Sequence, residues 1–287
     1  MTQPIRIGTR GSPLALAQAH MVAAALRASH GVETEIVPIT TTGDVIQDVA
    51  LSEVGGKALW TKELDRCLLD GRTDLSVHSM KDVETLRPAA LVIAAMLERA
   101  DTKDRLIGAE SLDALPHGAR VGTSSPRRTA QLLARRPDLG CAVIRGNVQT
   151  RLAKIEAGAF DATLLAAAGL DRLGLALGAP LDLLPAPAQG AIGVEVLAER
   201  AELRALLAAI DHLPTHDAVR AERAFLAALG GDCHSAVAAL ATPEGLVIAE
   251  ILSADGREVL RGEGAPAALA ASLLARASPD LRAMFAP

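Results

Sequence analysis

At 287 residues the chain exceeds one ordinary hydrophobic core, so two or three domains are expected. A net charge of −5, with three Phe, one Trp and no Tyr, argues against a general nucleic-acid binder, which needs a basic face and stacking rings. No apolar run reaches membrane-spanning length, no signal-peptide pattern opens the chain, and three scattered cysteines without a CxxC suggest neither a disulfide framework nor a zinc site; a cytoplasmic protein without metal is expected.

Ile5-Arg6-Ile7-Gly8 predicts a strand. Ser12 as N-cap and Pro13 at the first helical position then open a helix to about Ser29, ended by Gly31. A strand at 33–39, a polar turn and an irregular stretch at 44–60 follow. Next come a helix at 61–70, a strand at 73–78, a strand at 90–96 and a charged crossing point at 98–104. A second series runs strand 119–122, helix 126–136, strand 141–145, helix 148–157, strand 160–165, helix 166–173. Pro180, Pro185 and Pro187 read as a linker. A strand at 190–196 then rejoins the first lobe, followed by a long helix at 198–209. A helix at 216–229, strands at 236–241, 246–252 and 257–261, and a last helix make a small α+β domain. Alternating strands and helices imply mostly parallel sheets. The expected domains are 1–97 with 189–211, then 101–186, then 214–287.

The two series echo each other. Ile5-Arg6-Ile7-Gly8-Thr9 running into Ser12-Pro13 matches Ala119-Arg120-Val121-Gly122-Thr123 running into Ser125-Pro126. Gly71 to His78 matches Gly158 to Leu165. Both helix starts present free N–H groups and the positive end of the helix dipole, which suit anions. Arg10 stands beside the first, and Arg127 and Arg128 occupy the first turn of the second. Cations there oppose the dipole, so an anion offsetting the repulsion is expected. Arg145-Gly146-Asn147, Arg151 and Arg172 recur at strand ends of the second lobe. Six guanidinium groups so placed suit a ligand with several carboxylates, because arginine grips carboxylate bidentately. Ser79-Met80-Lys81-Asp82 follows a strand at the sheet edge where α/β folds bind ligands, and offers an anchoring cation beside a carboxylate. Cys233 lies in the glycine-rich loop Gly230-Gly231-Asp232-Cys233-His234, whereas Cys67 and Cys141 sit in regular structure and read as inert.

At this point the chain resembles the porphobilinogen deaminase (hydroxymethylbilane synthase) family. The matching strings are Gly8-Thr9-Arg10-Gly11-Ser12-Pro13-Leu14-Ala15, Gly55-Gly56-Lys57 and Val77-His78-Ser79-Met80-Lys81-Asp82-Val83. Further matches are Val121 to Ser125 with Arg127-Arg128, Arg145-Gly146-Asn147-Val148 with Thr150-Arg151-Leu152, Ala168-Gly169-Leu170 with Arg172-Leu173, and Gln189-Gly190. The resemblance implies two periplasmic-binding-protein-like α/β domains around a cleft plus a small C-terminal α+β domain. It implies a transferase that joins four porphobilinogen molecules head to tail, releasing ammonia, on a dipyrromethane cofactor held by a thioether to Cys233. Asp82 falls on the catalytic aspartate. The cofactor-binding positions fall on Ser79, Lys81, Thr123, Ser125, Arg127, Arg128, Arg145 and Gly146. The substrate-binding positions fall on Arg10, Ser12, Lys57, Arg151, Arg172 and Gln189. A cytoplasmic monomer acting on a small molecule, with no nucleic-acid or membrane partner, is the expectation.

Five positions depart from the commonest family pattern: Glu53 for lysine, Trp60 for phenylalanine, Glu84 for proline, Asp232 before the loop cysteine, and Ala236 for proline after it. The first three bear on the region around the site, the last two on the cysteine loop. A non-catalytic periplasmic anion-binding protein is the competing reading, but it needs neither Cys233 nor a missing signal sequence. A transcriptional effector-binding module would need a basic DNA-reading segment that the chain lacks.

Overall fold

The computed structural model describes residues 3–42, 60–232 and 235–285. The expectations for Glu53, Lys57 and Cys233 lie outside the described residues. Two compact units divide the chain. Of the described residues, 3–42, 60–100 and 190–217 form one; 101–189, 218–232 and 235–285 form the other.

The first unit is built on β1 (Ile5–Arg10), α1 (Pro13–His30), β2 (Thr34–Ile39), α2 (Lys62–Leu69), β3 (Leu75–Ser79) and β4 (Leu91–Met96). α1 starts as the sequence requires. Ser12 Oγ accepts from Ala15 N at 3.3 Å, and Pro13 needs no partner for its missing N–H. Gly31, at φ 64°, ends it in the left-handed conformation that only glycine adopts without strain. Ala15, Gln18, Ala19, Val22, Ala23 and Leu26 form its buried stripe, recurring every three to four residues.

The second unit opens with β5 (Asp104–Ile107), β6 (Arg120–Gly122), α3 (Pro126–Arg135), β7 (Gly140–Ala142) and α4 (Val148–Glu156). It continues with β8 (Ala162–Ala166), α5 (Ala167–Arg172) and β9 (Ala179–Leu181). The chain then returns to the first unit with β10 (Ile192–Leu197) and α6 (Ala201–Leu207), passes through α7 (Leu213–Leu229), and closes with β11 (Val237–Ala241), β12 (Val247–Leu252), β13 (Val259–Gly264), α8 (Pro266–Arg276) and α9 (Pro279–Ala283).

The sheet orders explain the sequence echo. The first sheet runs β2-β1-β3-β10-β4, and the second β7-β6-β8-β5-β9. In both, three parallel strands lead, and an antiparallel strand (β10 or β5) separates them from the last. β1 corresponds to β6 and β3 to β8, the pairs whose sequences match. The sheets are therefore mixed rather than mostly parallel. β10 joins the first sheet as expected, and it is buried along Ile192–Val196, as an inner strand must be.

Three expectations change. β5 begins at Asp104, the last residue of the charged crossing point, and its four residues are too few for periodicity to reveal. The proline linker contains β9, where Pro180 is tolerated because an edge strand does not need every N–H. The long helix at 198–209 is the seven-residue α6 followed by a 3₁₀ turn, Ala208–Ile210.

Each sheet has its own core. Ile7, Val22, Leu26, Leu75, Val77, Ile192 and Val194 form the first. Leu106, Val121, Leu132, Leu164 and Leu181 form the second. Phe225, Val237, Val247, Ile251, Leu269, Leu273 and Phe285 fill the antiparallel β11-β12-β13 layer. Fully burying one such side chain contributes about 1.5–3 kcal/mol, so each sheet has its own source of stability. No described helix is long and apolar enough to cross a membrane.

Candidate active site

In the first unit, β1 and β3 lie side by side and parallel, so their carboxyl ends, Arg10 and Ser79, emerge together. A pocket forms there, lined by Arg10, Gln18, Trp60, His78, Ser79 and Asp82 among others. Asp82 ends a single 3₁₀ turn, Met80–Asp82, pinned by Met80 N donating to Ala191 O at 3.1 Å and Val83 N donating to Met80 O at 3.3 Å. Asp82 and Lys81 are both half-buried. Ser79 Oγ exchanges hydrogen bonds with the Gln18 amide at 2.9 and 3.0 Å. The Arg10 guanidinium carbon lies over the Trp60 ring, 3.9 Å from its centroid. Such a cation–π pair contributes about 0.5–1 kcal/mol in water and more when desolvated. Ser12 acts here as the α1 cap.

Behind the pocket lies a charge network the sequence did not announce. His78 Nε2 is 3.2 Å from Glu195 Oε2, both side chains nearly inaccessible. Arg87 donates to Glu195 through Nε at 2.8 Å and Nη2 at 2.9 Å, and its two remaining directions reach Asp65 and Glu84, each at 2.5 Å. Burial alone would raise the Glu195 carboxyl. Hydrogen bonds and charges from His78 and Arg87 outweigh it and bring it to about 2. Asp65 moves the other way: burial raises it more than Arg87 lowers it.

In the second unit, Ser125 caps α3 by accepting from Arg128 N, and its own N–H donates to Thr123 Oγ1 at 3.1 Å. The anion that offsets the two first-turn arginines is supplied by the chain itself. Arg127 Nη2 donates to Asp104 Oδ2 at 2.8 Å and Arg128 Nη2 to Asp104 Oδ1 at 2.7 Å. Gln189 Nε2 adds a third bond to Asp104 Oδ1 at 2.9 Å. All four residues are buried. Burial alone would raise the Asp104 carboxyl, but the charges and hydrogen bonds of Arg128 and Arg127 hold it well below the usual carboxylate range. Burial pushes Arg127 down, against the pull of Asp104. Two guanidinium groups share one carboxylate, and the Nε–H of each is buried without a hydrogen-bond partner. The Glu250 carboxylate adds a second negative charge acting on Arg127, and Gln131 bonds to both residues, so what the cluster retains is the two Nε–H donors.

Arg145 and Gly146 lie just before α4, and Arg151 lies within that helix. Asn147 caps α4 by accepting from Thr150 N at 2.9 Å, and Arg151 Nε donates to Gly146 O at 2.9 Å. Gly146 has φ 107°, and a Cβ there would meet Thr150 Cβ at 2.6 Å. Gly146→Ala is therefore expected to cost about 1–3 kcal/mol in urea unfolding and to disturb Arg145 and Arg151 together; an unchanged midpoint would show that the turn relaxes freely. Arg172 ends α5, and burial pushes its pKa down. Burial pushes the Cys67 and Cys141 thiols up, away from nucleophilic character.

Residues 5–205 match the family model described as "Porphobilinogen deaminase, dipyromethane cofactor binding domain". The chain belongs to the porphobilinogen deaminase family. A porphobilinogen deaminase from Sphingopyxis alaskensis is 58% identical over 99% of this chain and 97% of its own length. One from Paracoccus denitrificans is 50% identical over 97% of this chain and 94% of its own. Among solved structures, a periplasmic substrate-binding protein from Coxiella burnetii has a TM-score of 0.45 and 15% identity over 74% of this chain and 93% of its own.

The structure therefore brings Arg10, Ser79 and Asp82 to one pocket, and groups Arg127, Arg128 and Gln189 around Asp104. Sequence reasoning missed Gln18, His78, Glu195 and Asp104. One signal was present: Gln18 interrupts the otherwise apolar stripe of α1.

Proposed function

We propose that the chain is a porphobilinogen deaminase, a transferase of tetrapyrrole biosynthesis that condenses four porphobilinogen molecules, releases one ammonia per step, and hydrolyses off linear hydroxymethylbilane. Family membership sets the reaction class. The observation that carries the site is the pocket holding the Asp82 carboxylate beside Arg10 and Ser79 at the carboxyl ends of β1 and β3.

In each step the bond from the aminomethyl carbon to nitrogen breaks, the nitrogen leaves as ammonia, and the pyrrole becomes an azafulvene cation. Asp82 accepts the pyrrole N–H and stabilises the developing positive charge by proximity. The aminomethyl nitrogen enters in its ammonium form, so it leaves as neutral ammonia without a further proton, and the Asp82 carboxylate can also accept a hydrogen bond from it. Arg10 and Ser12, with Lys57 from outside the described residues, hold acetate and propionate groups of the incoming substrate. Arg145, Arg151, Arg172 and Gln189 do the same for carboxylates in the second unit. Each sheet with its own core is read as a domain.

The dipyrromethane cofactor is bound by the donor set around Thr123, Ser125, Arg127, Arg128, Arg145 and Gly146, together with Ser79 and Lys81. The buried Nε–H groups of Arg127 and Arg128, which have no hydrogen-bond partner in the structure, fit a polycarboxylate there. When bound, the group supplies an electron-rich pyrrole carbon as the primer for addition. A thiolate is the nucleophile that a carbon–sulfur link requires, and Cys233 is its source. The reading includes a cytoplasmic monomer with no nucleic-acid partner.

Purified protein is expected to exceed its sequence mass by two linked pyrrole units and to release ammonia from porphobilinogen. Cys233→Ser should lose both the excess mass and turnover. An unmodified, fully active wild type, or a modification mapped to Cys67 or Cys141, would overturn the assignment.

A further inference from the structure

Trp60 is the only tryptophan in the chain. Its indole face carries the Arg10 guanidinium, and both line the pocket that contains Asp82. A guanidinium held over a ring face can still donate through its N–H edges to an anion. The position of the indole therefore fixes where Arg10 can present its donors.

The residue next to Trp60 is itself tied in place. Thr61, 1% exposed, donates through Oγ1 to Glu84 Oε1 at 2.7 Å. Glu84 Oε2 accepts from Arg87 Nη1 at 2.5 Å, and the same nitrogen lies 3.4 Å from Thr61 Oγ1. Arg87 is in turn held by Glu195 on β10 and Asp65 on α2, so it cannot shift without breaking its bonds to two other elements. Glu84 thus ties the backbone beside Trp60 to an anchored arginine. Its side chain does not line the pocket, whereas Thr61 and Trp60 do.

We propose that Glu84 is a positioning residue: through Thr61 and Arg87 it holds Trp60 against Arg10, and so sets the direction from which Arg10 meets a substrate carboxylate. This rests on the reading of the Asp82 pocket as the substrate site. Losing Glu84 leaves Arg87 with Glu195 and Asp65, so the fold keeps its counter-charges while the tie to Thr61 disappears.

The single indole reports on its own surroundings. In cofactor-loaded protein, Glu84→Ala is expected to weaken the near-ultraviolet circular dichroism of Trp60 and to raise acrylamide quenching of its fluorescence about twofold or more, as the indole leaves a fixed contact. KM for porphobilinogen should rise roughly threefold to tenfold, with kcat changed less than twofold, the pattern of lost positioning rather than lost chemistry. Glu84→Gln keeps an acceptor for Thr61, so its effects should be smaller in both readouts; it also serves if Glu84→Ala does not fold. An unchanged Trp60 signal in both variants overturns the proposal, whatever happens to KM. Arg10→Leu separates the two readings. If it alters the Trp60 signal but leaves KM unchanged, the pocket is not the substrate site, while the tie between Glu84 and Trp60 stands.

Discussion

Asp82→Asn is expected to fold with near-wild-type stability and to lose the chemical step by roughly two or more orders of magnitude, the loss typical of removing a charge partner of the transition state. Asparagine keeps the shape and can still accept from a pyrrole N–H. It cannot oppose the positive charge that develops as ammonia leaves. Asp82 is only half-buried on a short turn, and the backbone bonds of that turn do not involve its carboxylate, so the change should spare packing. Single-turnover ammonia release from cofactor-loaded protein decides the matter. A rate within a few-fold of wild type would assign catalysis elsewhere and leave Asp82 as the end of the 3₁₀ turn after β3.

Asp104→Asn is expected to have the largest effect on the fold. Two buried guanidinium groups, Arg127 and Arg128, would face each other without the carboxylate between them. Breaking a buried ion pair from one side costs about 3–5 kcal/mol, because the remaining charge is left uncompensated. The arginines should also lose their alignment, so the variant should accumulate as protein lacking the cofactor mass. The pH dependence follows from the depressed carboxyl. Its contribution is fully present above the unfolded-state value, near 4, and fades by about 1.4 kcal/mol per pH unit as pH falls towards the folded-state value. The gap between wild type and variant should therefore be constant from neutrality to about pH 4 and narrow below it. Urea unfolding at several pH values measures this. A variant within about 1 kcal/mol of wild type at neutral pH would show that the arginines find another anion.

Local rules carried the sequence far. Ser12-Pro13 and Ser125-Pro126 are helix starts because a capping hydroxyl and a fixed φ act within one turn of chain. The matched glycine-strand repeats mark β1 with β6 and β3 with β8, since equivalent strands in two sheets of one plan meet the same local demands. The motif around Asp82 was legible for the same reason: a polar turn after a buried strand falls at the sheet edge where ligands bind. β5 and β9 were not legible. Four residues, or three containing a proline, acquire strand geometry only from the neighbours that pair with them.

The sequence by itself thus determined the family, the doubled strand–helix plan, the capped helix starts and the residue types at the sheet edges, all of which depend on neighbours a few positions apart. Only the tertiary structure decided which charges meet. In the sequence Asp104 is only the end of a charged crossing segment, yet it is the buried counter-ion of two arginines more than twenty positions away. Arg87 and Glu195 are 108 positions apart, and they join His78, Asp65 and Glu84 behind the pocket. A charge tolerates burial only beside its partner, and the partner is chosen by sheet pairing and helix packing, which no short window of sequence contains.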